Sequence, residues 1–65
     1  MQLEKLIKNS IAEKDFHGLV VNYEERVEVF WWKEGSDIIN KFWAEIEITK
    51  PIMFSCSKGK LRINL

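Results

Sequence analysis

A change of hydrophobic period near residue 18 limits what this chain can fold into. Before it, Leu3, Leu6, Ile7 and Ile11 recur at three- and four-residue spacing, with Glu4, Lys5, Lys8 and Lys14 mostly on the remaining arc. That pattern predicts an amphipathic helix over residues 2–14. Gly18, just past Asp15, Phe16 and His17, supplies a stop, although Asp15 and Phe16 are already free to leave the helix. After Gly18 apolar side chains alternate with period two, as strands require.

In GLVVNY, Leu19, Val21 and Tyr23 share a face; in RVEVFWW, Val27, Val29 and Trp31 do so. The intervening YEER makes a tight connection, so the two runs form a hairpin. KEGSD is the next turn, with Gly35 free to take positive φ. The segment IINKFWAEIEIT is ambiguous. Ile38, Ile39, Phe42, Trp43 and Ile46 fit a helix capped by Ser36 or Asp37, whereas Phe42, Ala44, Ile46 and Ile48 alternate as a strand. A single long strand is the reading adopted. Pro51 then stands at a strand start, where no ladder hydrogen bond is needed from it. Ile52, Phe54 and Cys56 alternate into SKGK, and Leu61, Ile63 and Leu65 alternate out of it, which is a final hairpin around Lys58 and Gly59.

One helix followed by five strands, joined by turns too short for parallel crossovers, predicts an α+β fold: an N-terminal amphipathic helix packed on one face of a five-stranded antiparallel meander. The expected inner face carries Leu19, Val21, Val27, Val29, Trp31, Phe42, Ala44, Ile46, Ile48, Phe54, Leu61 and Ile63 beneath the helix. At 65 residues this is one domain, 1–65, of a size that buries only about 60% of its unfolded surface. Such scaffolds usually gain a crosslink, a metal or a partner subunit. Cys56 is the only cysteine and His17 the only histidine, so neither an intrachain disulfide nor a four-ligand zinc set is available. Packing and self-association remain.

Phe30, Trp31 and Trp32 are consecutive, so large aromatics must point to both faces of the sheet. The register that keeps both inner sets inward places Trp32 near Ile39, Phe30 near Lys41 and Glu28 near Trp43. Phe30, Trp32, Ile39 and Trp43 then cluster on the outer face as a candidate partner-binding patch, with Val20 and Met53 on the same parity and Glu45, Glu47, Lys60 and Arg62 at its other end. Strong curling of the sheet, or a helix over 37–43, would turn the same rings into ordinary core. Trp and Phe are enriched at the centres of interfaces, which favours a binding face.

Ten basic and ten acidic residues leave no net charge, which removes the simplest argument for nucleic acid or an anionic membrane. The distribution is uneven. Seven acids and three bases lie between Glu24 and Glu47, whereas Lys50, Lys58, Lys60 and Arg62 follow with no acid among them. The SKGK turn with Arg62 (Lys58, Gly59, Lys60, Arg62) is a candidate anion contact, weak without Walker spacing or a following helix. Cys56 and His17 could in principle pair as thiolate and imidazole, but the inward parity of Cys56 makes it a small buried hydrophobe, and His17 at a junction more often satisfies the backbone. Nothing in the sequence suggests a pocket around Glu45 with Glu47, or Glu24 with Glu25, that would suit them to acid-base work, and neutralisation of Glu45 and Glu47 by Lys60 and Arg62 is the expectation.

No catalytic, cofactor or metal set emerges. The expectation is a small non-catalytic binding or inhibitor protein, acting by protein contact through the aromatic face or a strand edge, with a homodimer or larger even oligomer as its own form. The alternative is a module that binds nucleotide or single-stranded nucleic acid through Trp32, Trp43 and the Lys58–Arg62 hairpin. The charged N-terminus and the absence of an apolar run near 18 residues argue against a signal peptide or a membrane span, and a lone thiol suits the cytoplasm. Eight lysines to two arginines, with abundant Ile and Asn, suggest AT-rich coding DNA, and the small size without catalytic residues resembles the accessory proteins of phages and mobile elements.

Overall fold

The structure, a computed structural model, describes residues 2–65. Helix α1 spans Gln2–Ser10 and presents Leu3 and Ile7 to the core. It ends earlier than the spacing predicts. Ile11 still donates its N–H to the Ile7 carbonyl at 3.0 Å and stays buried, but the following residues are tied to the sheet instead. The Asp15 carbonyl accepts the Glu34 N–H at 3.3 Å, and Asp15 Oδ1 accepts the Lys58 N–H at 2.8 Å. These bonds draw the linker flat, and the first strand starts at Phe16, two residues before the glycine expected to stop the helix.

Five strands follow: β1 (Phe16–Tyr23), β2 (Arg26–Lys33), β3 (Asn40–Ala44), β4 (Ile52–Ser57) and β5 (Lys60–Asn64). All neighbours are antiparallel and the order across the sheet is β3-β2-β1-β4-β5. The fold is therefore the α+β architecture that the sequence predicts, with a meander-like sheet growing outward on both sides of β1. Residues 45–51 carry the chain from β3 at one edge to β4 beside β1.

Three of the turns need backbone that few residues adopt, the β1–β2 turn through Glu24 (φ 58°) among them. Lys58 (φ 55°) and Gly59 (φ 78°) are both left-handed, the geometry of a two-residue hairpin turn that matches strand twist. Gly35 (φ 79°) serves the β2–β3 connection, where Ser36 N–H donates to the Lys33 carbonyl at 2.9 Å. No helix forms over 37–43: Ile38 and Ile39 are exposed in the loop, and the strand occupies only 40–44. Ile46 and Ile48 pack against the core from irregular chain, held where Asn22 Nδ2 donates to the Ile48 carbonyl at 3.0 Å.

The core joins Leu3, Ile7 and Ile11 of the helical segment to Val27, Val29, Ala44, Ile52, Phe54 and Cys56 of the sheet, with Phe16 and Val20 from β1. The phase of β1 is the opposite of that predicted. Val20 is fully buried, whereas Leu19 and Val21 are half-buried on the other face and Tyr23 is exposed. The physical reason lies in Phe16 and Gly18. Phe16 packs edge-on against Trp31 and Phe54, with ring centroids 6.3 and 6.1 Å apart, and the Phe54 ring occupies the space a Cβ on Gly18 would fill. Three packed rings, Phe16, Trp31 and Phe54, and a missing Cβ outweigh the pull of Leu19 and Val21.

Candidate functional site

One helix covers one face of the sheet, so the second face is built entirely from alternate strand residues with nothing packed over them. Cross-strand pairing sets its rows. Trp32, His17, Ser55 and Arg62 form one row across β2, β1, β4 and β5. Lys41, Phe30, Leu19, Met53 and Asn64 form the next, across all five strands. Trp43, Glu28 and Val21 form a third.

The predicted pairs of Phe30 with Lys41 and Glu28 with Trp43 are both present. Phe30 and Trp32 are half-buried, and Trp43 and Met53 are 56% and 57% exposed. Ile39 does not join the sheet, because the β2–β3 ladder ends at Trp31 and Asn40; it is exposed in the loop beyond that pair. Val20, expected on this face, is core, and Leu19 and Val21 stand there in its place. Sequence alternation points the other way, since Leu19, Val21 and Tyr23 form the more apolar parity against Gly18, Val20 and Asn22.

Position matters more for the basic residues. Lys60 and Arg62 share the face that carries the aromatics, as their parity predicts, and the β4–β5 hairpin stands beside β1 rather than beyond β3. With Ser55, Ser57 and Lys58 they line a surface depression of about 390 Å³ that contains no acidic residue. Glu45 and Glu47 do not neutralise them. Those two line a different groove, beside Glu24 and Glu25 at the opposite end of the strands. Among the ion pairs of the described residues, Lys58, Lys60 and Arg62 take no part.

Glu28 is the anomaly of the face. Its carboxylate is buried among strand neighbours, with Oε1 3.4 Å from Arg26 Nε and Oε2 without a hydrogen-bond partner. Burial of an acceptor without a partner costs about 1–3 kcal/mol. His17 stacks on Trp32, with ring centroids 6.1 Å apart, and its Nε2 contacts the Glu34 carboxylate, so its partner is a side chain rather than the backbone. Cys56 is a free, buried thiol on the core face, whereas His17 lies on the outer face; the two do not meet. Among the described residues, no three His, Cys, Asp or Glu side chains converge on a metal position, and no helix is long and apolar enough to cross a membrane.

This arrangement can hold a flat or extended partner by ring contact and charge. Comparison with protein-family models, curated proteins and solved structures finds no match to this chain.

Proposed function

We propose that this chain is a small non-catalytic binding protein that works through the bare face of its sheet. The observation that supports it is the placement of Phe30, Trp32, Trp43, Leu19, Val21 and Met53 on a face that α1 does not cover. Monomeric proteins rarely leave contiguous apolar surface of this kind without a use. A protein target blocked by this face, or a second copy of the chain, suits the apolar centre. A homodimer would also supply stability that a 65-residue domain without crosslinks lacks. An inhibitor or accessory role in the cytoplasm of a phage or mobile-element host fits the size, the lone thiol and the coding bias.

The test is retention of a defined partner by immobilised protein. Wild type and Ile38→Ala, altered in an exposed loop off the face, should retain the same species, and Trp43→Ala should lose it. Equal retention by all three would place the contact elsewhere. A second reading, nucleic acid, is favoured by a separate observation: the basic hairpin shares this face.

A further inference from the structure

The chain as a whole is neutral, but the bare face is not. Its strand residues include Arg26, Lys41, Lys60 and Arg62 against the carboxylate of Glu28, which already faces Arg26, while Glu34 reaches the face from the β2–β3 connection and is engaged with His17. The remaining acids lie on the helix, the turns, the loops and the 45–51 crossover. Folding has thus sorted charge that the sequence mixes. The rings are sorted with it. Phe30 and Trp32 are two residues apart on β2, a separation of about 7 Å, and Trp43 is the diagonal neighbour of Phe30 on β3.

We infer that the bare face binds single-stranded nucleic acid, with bases stacked on Trp32, Phe30 and Trp43 and phosphates held at Arg62, Lys60 and the Ser55 and Ser57 hydroxyls. This rests on the reading of that face as the contact surface and names its partner. The argument is chemical complementarity. Trp43, exposed, and the accessible parts of Phe30 and Trp32, half-buried, offer stacking to any base, cations in an acid-free depression attract phosphate, and an open sheet presents both in one plane. A protein partner would gain from the rings but would need acidic side chains set opposite the cations, whereas a nucleic acid carries a phosphate at every nucleotide. The row Trp32, His17, Ser55, Arg62 fixes the polarity of the site: ring at one side, cation at the other, with three strand spacings between, roughly 14 Å. A flexible single strand can span that distance with a base at one end and phosphates at the other. A duplex, with its bases already stacked inside, can use only the cations.

The experiment titrates the full chain with an oligothymidylate of about 12 nucleotides, following tryptophan fluorescence and anisotropy of the labelled strand. Binding at low salt should quench the tryptophans, and affinity should fall with salt with a log–log slope near −2, as expected for about three phosphate contacts to a single strand. Lys60→Glu with Arg62→Glu should weaken binding more than tenfold, and Arg62→Gln, which keeps length and hydrogen bonding, should weaken it less. Trp32→Ala should cost about tenfold while leaving the salt slope unchanged. Circular dichroism checks that each variant folds. Absence of binding at low salt overturns the inference, as does binding that ignores the charge reversals, or a duplex that competes as well as the single strand. Sedimentation in the same series separates the two levels. Self-association that Phe30→Glu disrupts, with no oligonucleotide bound, would keep the face as an interface with a second copy as its occupant and discard nucleic acid. A monomer that binds no oligonucleotide and is indifferent to Phe30→Glu in partner retention would discard both.

Discussion

Gly18 sits in the middle of a strand, and its value is the side chain it lacks. A Cβ built there would lie 1.9 Å from Phe54 Cζ, so the glycine is a seat for that ring rather than a hinge. Phe54 is 2% exposed and touches Phe16, hence the ring cannot swing aside without loosening the core. Gly18→Ala is therefore expected to destabilise the protein by about 1–3 kcal/mol, the usual cost of overpacking. Adding Phe54→Leu, whose smaller side chain vacates the seat, should recover part of that loss in a denaturant titration. Recovery of nothing would show that backbone conformation, and not the ring, requires glycine. Glu28 poses the complementary case at this scale, a buried carboxylate oxygen with no partner, paid for by the strands around it.

At the scale of elements, the weak point is the linker between α1 and β1, which is held by single hydrogen bonds. Asp15 reaches the β4–β5 turn by accepting the Lys58 N–H, while Lys58 itself holds a left-handed φ of 55°. Asp15→Ala should cost about 1 kcal/mol and raise amide exchange at the 57–60 turn more than in β1 or β2. An unchanged exchange rate there would mean that the turn stands by itself. Within α1, the hydrogen bond and charge of Lys8 hold the Glu4 carboxyl below its ordinary range. A depressed carboxyl contributes stability above its unfolded pKa and loses it as pH falls through the folded one, so the helical signal should weaken on acidification below roughly pH 4. Much of this level is legible in the sequence. The final hairpin, the Gly35 turn and the β2–β3 register follow from alternation and turn chemistry. The phase of β1 does not, because Leu19, Val21 and Tyr23 outweigh Val20 in the local pattern and the choice is made by Phe16 and Gly18 against Phe54. The helix end is equally hidden, since Asp15 leaves the helix for partners 19 and 43 residues further along the chain.

For the whole molecule, the decisive fact is which side of β1 receives the last hairpin. Nothing local specifies it: residues 45–51 could have turned β4 back along β3, and the basic hairpin would then have stood beyond the aromatics. Placement beside β1 makes a two-faced sheet, with helix and core on one side and rings with cations on the other. The face of the aromatics and that of Lys60 and Arg62 could both be read from parity; the separation of those cations from Glu45 and Glu47 needed the strand order. Adjacent residues in β4 test the two-faced description directly. Met53 is 57% exposed in the row of Phe30 and Leu19, and Phe54 points into the core. Met53→Glu should leave stability within about 0.5 kcal/mol, as solvated substitutions do, yet place an unpaired carboxylate at the centre of the contact face and abolish binding there. Phe54→Ser should cost about 3–5 kcal/mol, close to the roughly 3–10 kcal/mol that a domain of this size possesses, and leave little folded protein. Thermal melts of the two variants, read beside partner retention, therefore make opposite demands on neighbouring positions. A melting loss from Met53→Glu as large as that from Phe54→Ser would mean that Met53 is core, and that the face described as bare is covered in solution by part of the same molecule.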